Sequence, residues 1–460
     1  MKNKITLLLA VLFIGLNISF AQQDEESMTK LSIFHEYVKS KNYDAAYEPW
    51  MDVRKRAPKF NNAIYVDGEK ILEHKIDNSS GSEKVAFIND LLSLWEERAI
   101  HFANKTPEGE YAAQACQLMY DNKDILNKST EDLYACFDSA YQADKDTFTN
   151  PKSLYTYFSL MVELYDSGKK PAADLFNKYD DVVEKVEDEV ENYSTRLNKL
   201  IEKEDSGTAL TKKDGKYKRY YESYLKAYDQ IASGIDEKLG TRANCENLIP
   251  LYKKGFDENK TNSVWLQRAA GKMSEKECTD DPLFFDLVNA YHELSPSANS
   301  AYYLGILKDK EGKSSEAISF YKQAISLETD SFKKSKLNNR IGLKLKARGS
   351  YGQARGFFRE ALKLNPSNGR PYLSIAAMYA SSANNCGETN FDKRAVYWLA
   401  ADEARKASRV DPTQSSNASK SVANYLAKAP QKSEIFSSGR AGQTINIGCW
   451  IGSSVTVPNI

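Results

Sequence analysis

A stripe of small and aromatic residues recurs in the C-terminal half of this 460-residue chain and sets the strongest limit on its fold. In GSYGQARGFFREALKLNPSNGRPYL, Ala354, Phe358 and Ala361 are spaced by four and three residues, and Pro366 follows them. Because an α-helix has 3.6 residues per turn, this spacing puts the side chains on one face of one helix, which must be buried. The proline ends that helix.

The same stripe occurs both upstream and downstream. Its members are Ala317, Tyr321 and Ala324 in one segment, and Ala400, Ala404 and Ala407, followed by Pro412, in the other. A partner helix is predicted before each stripe. Gly305 and Gly342 lie on the buried sides of two such partners, where the missing side chain permits a close approach of the next helix. Helix-turn-helix units therefore follow one another along the chain.

These units resemble the tetratricopeptide repeat, a helix-turn-helix of about 34 residues. The resemblance is strong over 298–412 and degenerate over the middle of the chain. It is fair over 27–75, where the matching positions are Ala46, Trp50, Val53, Pro58 and Gly68. Ala317 and Ala354 are 37 residues apart, but Ala354 and Ala400 are 46 apart, so the third unit carries about a dozen inserted residues, SSANNCGETNFD. The resemblance implies a right-handed solenoid of helix pairs.

A different pattern fills residues 171–240. From Phe176 to Leu200, apolar residues alternate spacings of three and four through four heptads, with charged residues between them. After a polar stretch, a second stripe of tyrosines and isoleucines runs from Tyr217 to Ile235. We expect an antiparallel helical hairpin roughly 40 Å long, with a mobile tip over 202–216. The pattern leaves two placements open: the hairpin packs flat on the solenoid, or it projects as an arm toward a partner.

The last residues change to a β-type alternation. TINIGCWIGSSVTVPNI predicts a small terminal β-hairpin, which would cover the last apolar face of a solenoid. The Cys-Gly in the insertion, the Tyr-Trp pair at Tyr397 and the GCWI tail are similar to exported repeat proteins of Bacteroidetes. That resemblance implies an envelope protein and adds no activity.

The predicted fold class is therefore all-α: a TPR-like right-handed helical solenoid with an inserted long antiparallel helical hairpin and a small C-terminal β-hairpin. The predicted parts are a signal peptide (1–21), an N-terminal repeat-like region (22–170), the long hairpin (171–240), degenerate repeats (241–297), three repeats with a capping helix (298–428), and the β-hairpin tail (429–460).

The N-terminus has the pattern of a secretory signal peptide. Lys2 and Lys4 precede an apolar run from Ile5 to Leu16, and a small-x-small site ends at Ala21. The run is too short for a membrane span, which needs roughly 20 apolar residues, and no cysteine near the cut could carry a lipid. We expect cleavage after Ala21 and a periplasmic protein with no integral membrane span.

The six cysteines of an exported chain suggest disulfides, although six allow 15 pairings. Proximity in sequence favours Cys116 with Cys136, Cys245 with Cys278, and Cys386 with Cys449. The alternative is buried reduced thiols. The third bond would restrain two segments that otherwise lack a partner, the insertion and the tail.

No catalytic, cofactor-binding or metal-binding pattern stands out. Lys plus Arg and Asp plus Glu are both 63, so no basic field favours nucleic acid. The four histidines, at 35, 74, 101 and 292, are isolated, and the calcium-loop-like DNKDILNKSTED lacks its glycine. Asp280 and Asp281, before Pro282, are expected to cap a helix. These absences favour a non-enzymatic protein with no cofactor.

The repeat resemblance implies a partner-binding groove on the first helices of the units. Its predicted residues are Asn299, Tyr302, Lys336, Asn339, Lys346 and Arg370. This mixture suits an extended protein segment and lacks the full lysine and asparagine set that clamps a terminal carboxylate. We expect a scaffold for protein–protein interaction in a periplasmic or cell-envelope assembly or secretion complex. The alternatives are a peptide- or glycan-binding accessory factor, an ordinary solvated face at the groove, and an unrecognised hydrolase.

Overall fold

The computed structural model of the protein describes residues 25–459, and helices make up most of them. The chain divides into two compact units, one through Lys170 and one from Pro171 onward. The helices of the first unit are α1 (25–39), α2 (Tyr43–Arg56), α3 (Ala63–Asp77), α4 (Gly81–His101), α5 (Glu108–Asp121), α6 (Lys123–Leu126), α7 (Thr130–Ala143) and α8 (Pro151–Asp166).

Trp50 lies at the centre of the first unit's core. Its side chain is fully buried, and its indole nitrogen donates to the carbonyl of Ile64 over 2.6 Å. Gly68 faces the ring so closely that a Cβ there would come within 2.5 Å of it. The tryptophan of α2 therefore packs against a glycine of α3, as the N-terminal repeat pattern predicts. A disulfide between Cys116 and Cys136 joins α5 to α7, with 5.8 Å between their Cα atoms.

The second unit contains a long helical pair followed by shorter helices. These are α9 (Ala172–Asp205), α10 (Lys212–Leu239), α11 (Cys245–Asn259), α12 (Ser263–Glu275), α13 (Pro282–Leu294), α14 (Ala298–Lys310), α15 (Ser314–Leu327), α16 (Ser331–Ala347), α17 (Tyr351–Leu364), α18 (Arg370–Ser382), α19 (Asn390–Val410), α20 (Ser415–Lys428) and α21 (Lys432–Ser438). Asp281 caps α13 and Pro282 begins it, which confirms the capping prediction for Asp281. Asp280 instead lies 2.6 Å from the ammonium of Lys310.

Three helix pairs, α14–α15, α16–α17 and α18–α19, form the predicted repeats. A Cβ on Gly305 would lie 2.4 Å from the ring of Tyr321, and one on Gly342 would lie 2.7 Å from the ring of Phe358. In both pairs the glycine of the first helix therefore accommodates the aromatic ring of the second. The turns between the helices use glycines with positive φ, 74° at Gly312 and 76° at Gly349.

In the third pair, smaller residues occupy the positions of the glycine and the aromatic ring. Ala376 takes the place of the glycine and Ala404 that of the ring, and both are fully buried. The insertion between these helices forms a 3-10 turn (Ala383–Asn385) and the first turn of α19, where Thr389 and Asp392 make a capping box. The inserted residues therefore lengthen α19 as well as adding a loop.

Helices α9 and α10 form an antiparallel hairpin. Tyr179 donates to Asp236 near its base over 2.5 Å, and Lys203 meets Asp214 near its tip over 2.6 Å. Part of the predicted tip, 202–216, is helical, because α9 continues to Asp205 and α10 begins at Lys212. A capping box between Thr211 and Asp214 starts α10 early.

The tail forms a two-stranded antiparallel sheet, β1 (Thr444–Ile447) and β2 (Ser453–Thr456). Cys449 bonds Cys386, with 5.3 Å between Cα atoms, and Cys245 likewise bonds Cys278 at 5.5 Å. Trp450 packs between the rings of Tyr351 and Tyr379, each 5.5 Å away between centroids. The tail is therefore attached to the repeats by a covalent bond and by aromatic packing.

The all-α fold with a small terminal β-hairpin agrees with the sequence-based prediction. All six cysteines lie in the favoured pairs at bonding distance. The predicted signal peptide, 1–21, lies outside the described residues.

Candidate groove occupied by the helical hairpin

The long hairpin of the second unit lies against the first helices of the repeats, on the face predicted to be a groove. The Nζ of Lys336 on α16 is 2.6 Å from the carboxylate of Glu187 on α9. Arg370 at the start of α18 donates to Asp229 on α10 over 2.6 Å. Of the two placements that the sequence left open, the structure adopts the packed one.

Toward the tip of the hairpin, amide groups make one set of contacts. Asn198 of α9 donates to the side-chain oxygen of Asn365 over 3.0 Å, and its own oxygen accepts from the backbone nitrogen of Ser367 over 2.9 Å. Both partners lie in the loop between α17 and α18. Because one side chain satisfies a donor and an acceptor in that loop, it fixes the position of the hairpin along the repeats.

Near the hairpin's base, the contacts are mainly ionic. Arg268 of α12 pairs with Asp181 and Glu184, and Lys272 lies 3.6 Å above the ring of Tyr179. Lys272 is only 4% exposed, and its nitrogen is 3.5 Å from Asp180. Burial raises the pKa of Asp180 to about 6, although Lys272 and Arg268 oppose the shift.

Apolar contacts lie at the same level and continue to the tip. A small cluster joins Leu197 and Ile201 of α9 to Val410 at the end of α19, with the rings of Tyr221 and Tyr372 packed against it. Arg409 is 3.8 Å from Asp205 at the end of α9. The hairpin therefore contacts the repeats from near its base to its tip.

A cleft of about 310 Å³ remains between the hairpin and the repeats. The hairpin side is mostly apolar, with Val190, Leu225 and the tyrosine Tyr228. The repeat side is polar and includes Lys336, Asn339, Asn368, Arg370 and Asp411. A cleft with one apolar wall and one amide-rich wall suits a ligand with an apolar body and hydrogen-bonding groups.

Two polar groups of the cleft wall are buried. The side-chain oxygen of Asn339 has no hydrogen-bond partner among the described residues. Burial raises the pKa of Asp411, although its carboxylate accepts from Thr413 and from the backbone nitrogen of Gly369. An unsatisfied buried amide oxygen costs on the order of 1–3 kcal/mol. Asn339 is therefore the side chain of this wall that gains most from an added donor.

The six predicted groove residues do not stay together. Lys336, Asn339 and Arg370 line the cleft, but Asn299, Tyr302 and Lys346 do not. Tyr302 is only 2% exposed, and the guanidinium of Arg340 covers its ring at 4.2 Å, so it offers no free surface in this structure. Lys346 is half-buried, and burial lowers its pKa.

The sequence interpretation missed the groups that face these residues from the hairpin. Glu187 and Asp229 supply the opposing charges, and Asn198 supplies the amide. The sequence does place these polar residues between the heptad positions of each helix, on outward faces. What the sequence lacked was any indication of which outward side the repeats would cover.

One His–Ser contact lies in the second unit, but its serine is buried. His292 contacts the hydroxyl of Ser300 over 2.9 Å, but Ser300 is 0% exposed and caps α14 together with Ser297. Within 25–459, no three His, Cys, Asp or Glu side chains are grouped so that they could hold a metal ion. A search of the same residues for a helix both long and apolar enough to cross a bilayer found none.

A search of curated proteins found one partial sequence relative. The chain is 31% identical over 110 residues to the Photosystem I assembly protein Ycf3 of Cyanophora paradoxa. The aligned region covers 22% of this chain and 64% of Ycf3. The chain thus spans less than two thirds of that relative. No family profile matches the chain.

A search of solved structures returned matches of low sequence identity and low TM-score. A tetratricopeptide repeat protein from Parabacteroides merdae is 11% identical, with a TM-score of 0.24, over 68% of this chain and 97% of its own. Cut9–Hcn1 of the APC/C is 11% identical, with a TM-score of 0.31, over 86% of this chain and 95% of its own. Yeast Tom70 is 13% identical, with a TM-score of 0.25, over 90% of this chain and 83% of its own.

The repeat type follows from the chain's own packing. Buried alanines recur at equal places in α15, α17 and α19, and a glycine opposes an aromatic ring in two of the three pairs. These are the features by which the sequence resembled one class of helical repeat. The fold of these helix pairs is therefore TPR-like.

Proposed function

We propose that the protein is a non-enzymatic, exported scaffold for protein–protein interaction, acting in a periplasmic or cell-envelope assembly or secretion complex. The observation that carries the proposal is the groove, which is already occupied by a helical hairpin of the same chain. The hairpin leaves one cleft whose repeat wall has polar groups facing it. A partner segment would bind there against both elements.

The position of the charges supports a protein segment as the partner. Lys336 and Arg370 are paired with Glu187 and Asp229, so an acidic segment could replace the carboxylate of either pair without leaving the cation unpaired. The three disulfides are compatible with an oxidising compartment such as the periplasm.

The test is affinity capture of the tagged mature protein from its own envelope, with chemical crosslinking. We expect a defined set of envelope proteins with the wild type and their loss with Lys336→Glu combined with Arg370→Glu. The matched control is Lys322→Glu with Lys363→Glu, an equal charge change at exposed positions on the second helices α15 and α17. Capture that survives the first double substitution would place the partner elsewhere.

A charge swap separates direct contact from an effect on the hairpin. Adding Glu187→Lys and Asp229→Arg to the first double variant restores both ion pairs with reversed polarity. If Lys336 and Arg370 touch the partner, capture stays lost. If they act only by holding the hairpin, capture returns, and the direct-contact part of the proposal is wrong.

A second candidate, an accessory factor that binds a short peptide or glycan, is favoured by one observation. The buried oxygen of Asn339 has no partner among the described residues, beside a cleft of about 310 Å³. Binding of an isolated short ligand that is lost in Asn339→Leu, with no envelope complex recovered by capture, would support this function over the scaffold.

A further inference from the structure

A second cleft, of about 730 Å³, runs beside the C-terminal sheet. One wall is the unbroken series of residues 443–449, and no residue of β2 contributes. Successive side chains of a strand point to opposite faces, so a cleft on one face would be lined by alternate residues. An unbroken series means that the cleft lies along the outer edge of β1, where backbone groups face it.

The hydrogen-bonding phase of the sheet shows which backbone groups point outward. The nitrogen of Val457 donates to the carbonyl of Gln443 over 2.9 Å, and the pairing register continues with Ile445 opposite Val455. Hydrogen-bonded and non-hydrogen-bonded pairs alternate along an antiparallel ladder. Ile445 and Ile447 therefore bond β2, whereas the N–H and C=O groups of Thr444 and Asn446 point into the cleft.

The opposite wall is the insertion of the third repeat, Asn385–Glu388. The disulfide between Cys386 and Cys449 joins the two walls at one end, and Arg440 pairs with Asp392 over 2.6 Å across the cleft. The strand side is four residues long, roughly 13 Å at about 3.3 Å per residue. These links hold an open strand edge at a fixed distance from a facing wall.

We propose that this cleft is a docking slot for one extended peptide segment of a partner protein, which adds to β1 as a third strand and carries a basic side chain opposite Glu388. Strand addition uses backbone groups such as those of Thr444 and Asn446. The basic preference follows from charge: Glu388 and Asp392 line the cleft against the single cation Arg440. A second copy of the chain fits poorly, because its own insertion would have to enter the slot beside its β1.

The slot and the cleft beneath the hairpin have different lining residues. Failure of the peptide test would therefore leave the scaffold proposal unchanged. Its test uses the mature, disulfide-intact protein and an acetylated, amidated hexapeptide of alternating lysine and valine. Amide exchange and chemical shifts are followed by NMR. In the free protein, the amides of Thr444 and Asn446 should exchange faster than those of Ile445 and Ile447. The peptide should protect the first two.

Variants give the decisive comparison. Asn446→Pro removes an outward N–H that the β1–β2 ladder does not use, so the sheet should persist while peptide affinity falls about tenfold or more. Ser454→Pro is the matched control, since Ser454 is the partner of Asn446 on β2 and its N–H faces the other edge. It should bind as the wild type does.

Three results would overturn the proposal. The first is slow exchange of the Thr444 and Asn446 amides in the free protein, which would show that the edge is already covered. The second is equal binding by Asn446→Pro and Ser454→Pro. The third is unchanged binding when alternate nitrogens of the peptide are methylated, since methylation removes its donors to the strand. Glu388→Lys should weaken binding of this peptide and strengthen binding of a peptide of alternating glutamate and valine.

Discussion

Gly342 and Phe358 are in such close contact that a methyl group on Gly342 would lie 2.7 Å from a ring carbon of Phe358. Carbon atoms that are not bonded meet at about 3.5–4.0 Å. The glycine is therefore required by the neighbouring helix, and its own backbone conformation does not demand it. Gly305 and Tyr321 repeat the arrangement one unit earlier.

The first prediction follows from this contact. Gly342→Ala should lower the free energy of unfolding by roughly 1–3 kcal/mol, because Phe358 is fully buried and cannot retreat. Gly356→Ala on α17 is the control, since a Cβ there meets nothing within 4 Å. It should raise stability by up to about 1 kcal/mol through helix propensity. Urea unfolding of the two variants measures both effects, and destabilisation of equal size in both would contradict the packing argument.

The second prediction concerns the third repeat, where alanines replace the glycine and the ring. Ala404→Phe alone should destabilise by roughly 1–3 kcal/mol, because Ala404 and Ala376 are both fully buried. Adding Ala376→Gly should recover part of that loss by recreating the pair found in the other repeats. Urea unfolding of the two single variants and the double variant gives the coupling energy. Strict additivity would show that the two positions do not oppose each other.

The third prediction is that Cys449→Ser loosens the tail. The bond to Cys386 spans a sequence separation of 63, for which the chain-entropy model gives on the order of 4 kcal/mol. We expect a lower melting temperature and earlier protease cleavage after β1, with little further effect of reductant at this site. Peptide mapping of the non-reduced protein is the check. A Cys386 peptide found free or bonded to another cysteine would contradict the pairing.

The fourth prediction concerns pH and the buried carboxyl of Asp180. Its pKa in the folded protein, about 6, lies above the ordinary value of 3.8, so the folded state holds a proton that the unfolded state has lost between these pH values. Its contribution to stability is therefore largest near pH 4 and is lost as pH rises through 6. The loss amounts to about 3 kcal/mol at 1.36 kcal/mol per pKa unit.

Asp180→Asn should remove this part of the pH dependence. Because other carboxyls titrate in the same range, the informative quantity is the difference in unfolding free energy between wild type and variant, measured at several pH values from 4 to 7. That difference should change between pH 4 and about 6 and level off above the folded pKa. A constant difference would mean that Asp180 titrates in the folded protein as it does in the unfolded chain.

Local pattern predicted most helices of the second unit. The heptads of α9 and the alanine stripes of α15, α17 and α19 are periodic signals that a single helix carries by itself. The start of α10 also has a local signal, because Thr211 and Asp214 have the spacing of a capping box.

The occupied groove could not be predicted in this way. Lys336 and Glu187 are 149 residues apart, and Arg370 and Asp229 are 141 apart. Periodicity identifies which face of a helix is buried and does not identify the partner that buries it. Many charged residues lie between the heptad positions, so no single one of them marks the contact. The burial of Tyr302 could not be predicted for a related reason, since Arg340, which covers its ring, belongs to the next repeat.

The placement of the hairpin also bears on how the second unit folds. In a simple repeat array each helix pair touches only its neighbours, so pairs can open one at a time from an end. Here Asn198 bonds residues 167 and 169 positions later, and the same two helices touch segments from α12 to α19. Separation of any one pair must break contacts with an element shared by the others. The hairpin thus links the helix pairs and favours a single cooperative unfolding transition. Its contacts are distant in sequence, which favours slow folding.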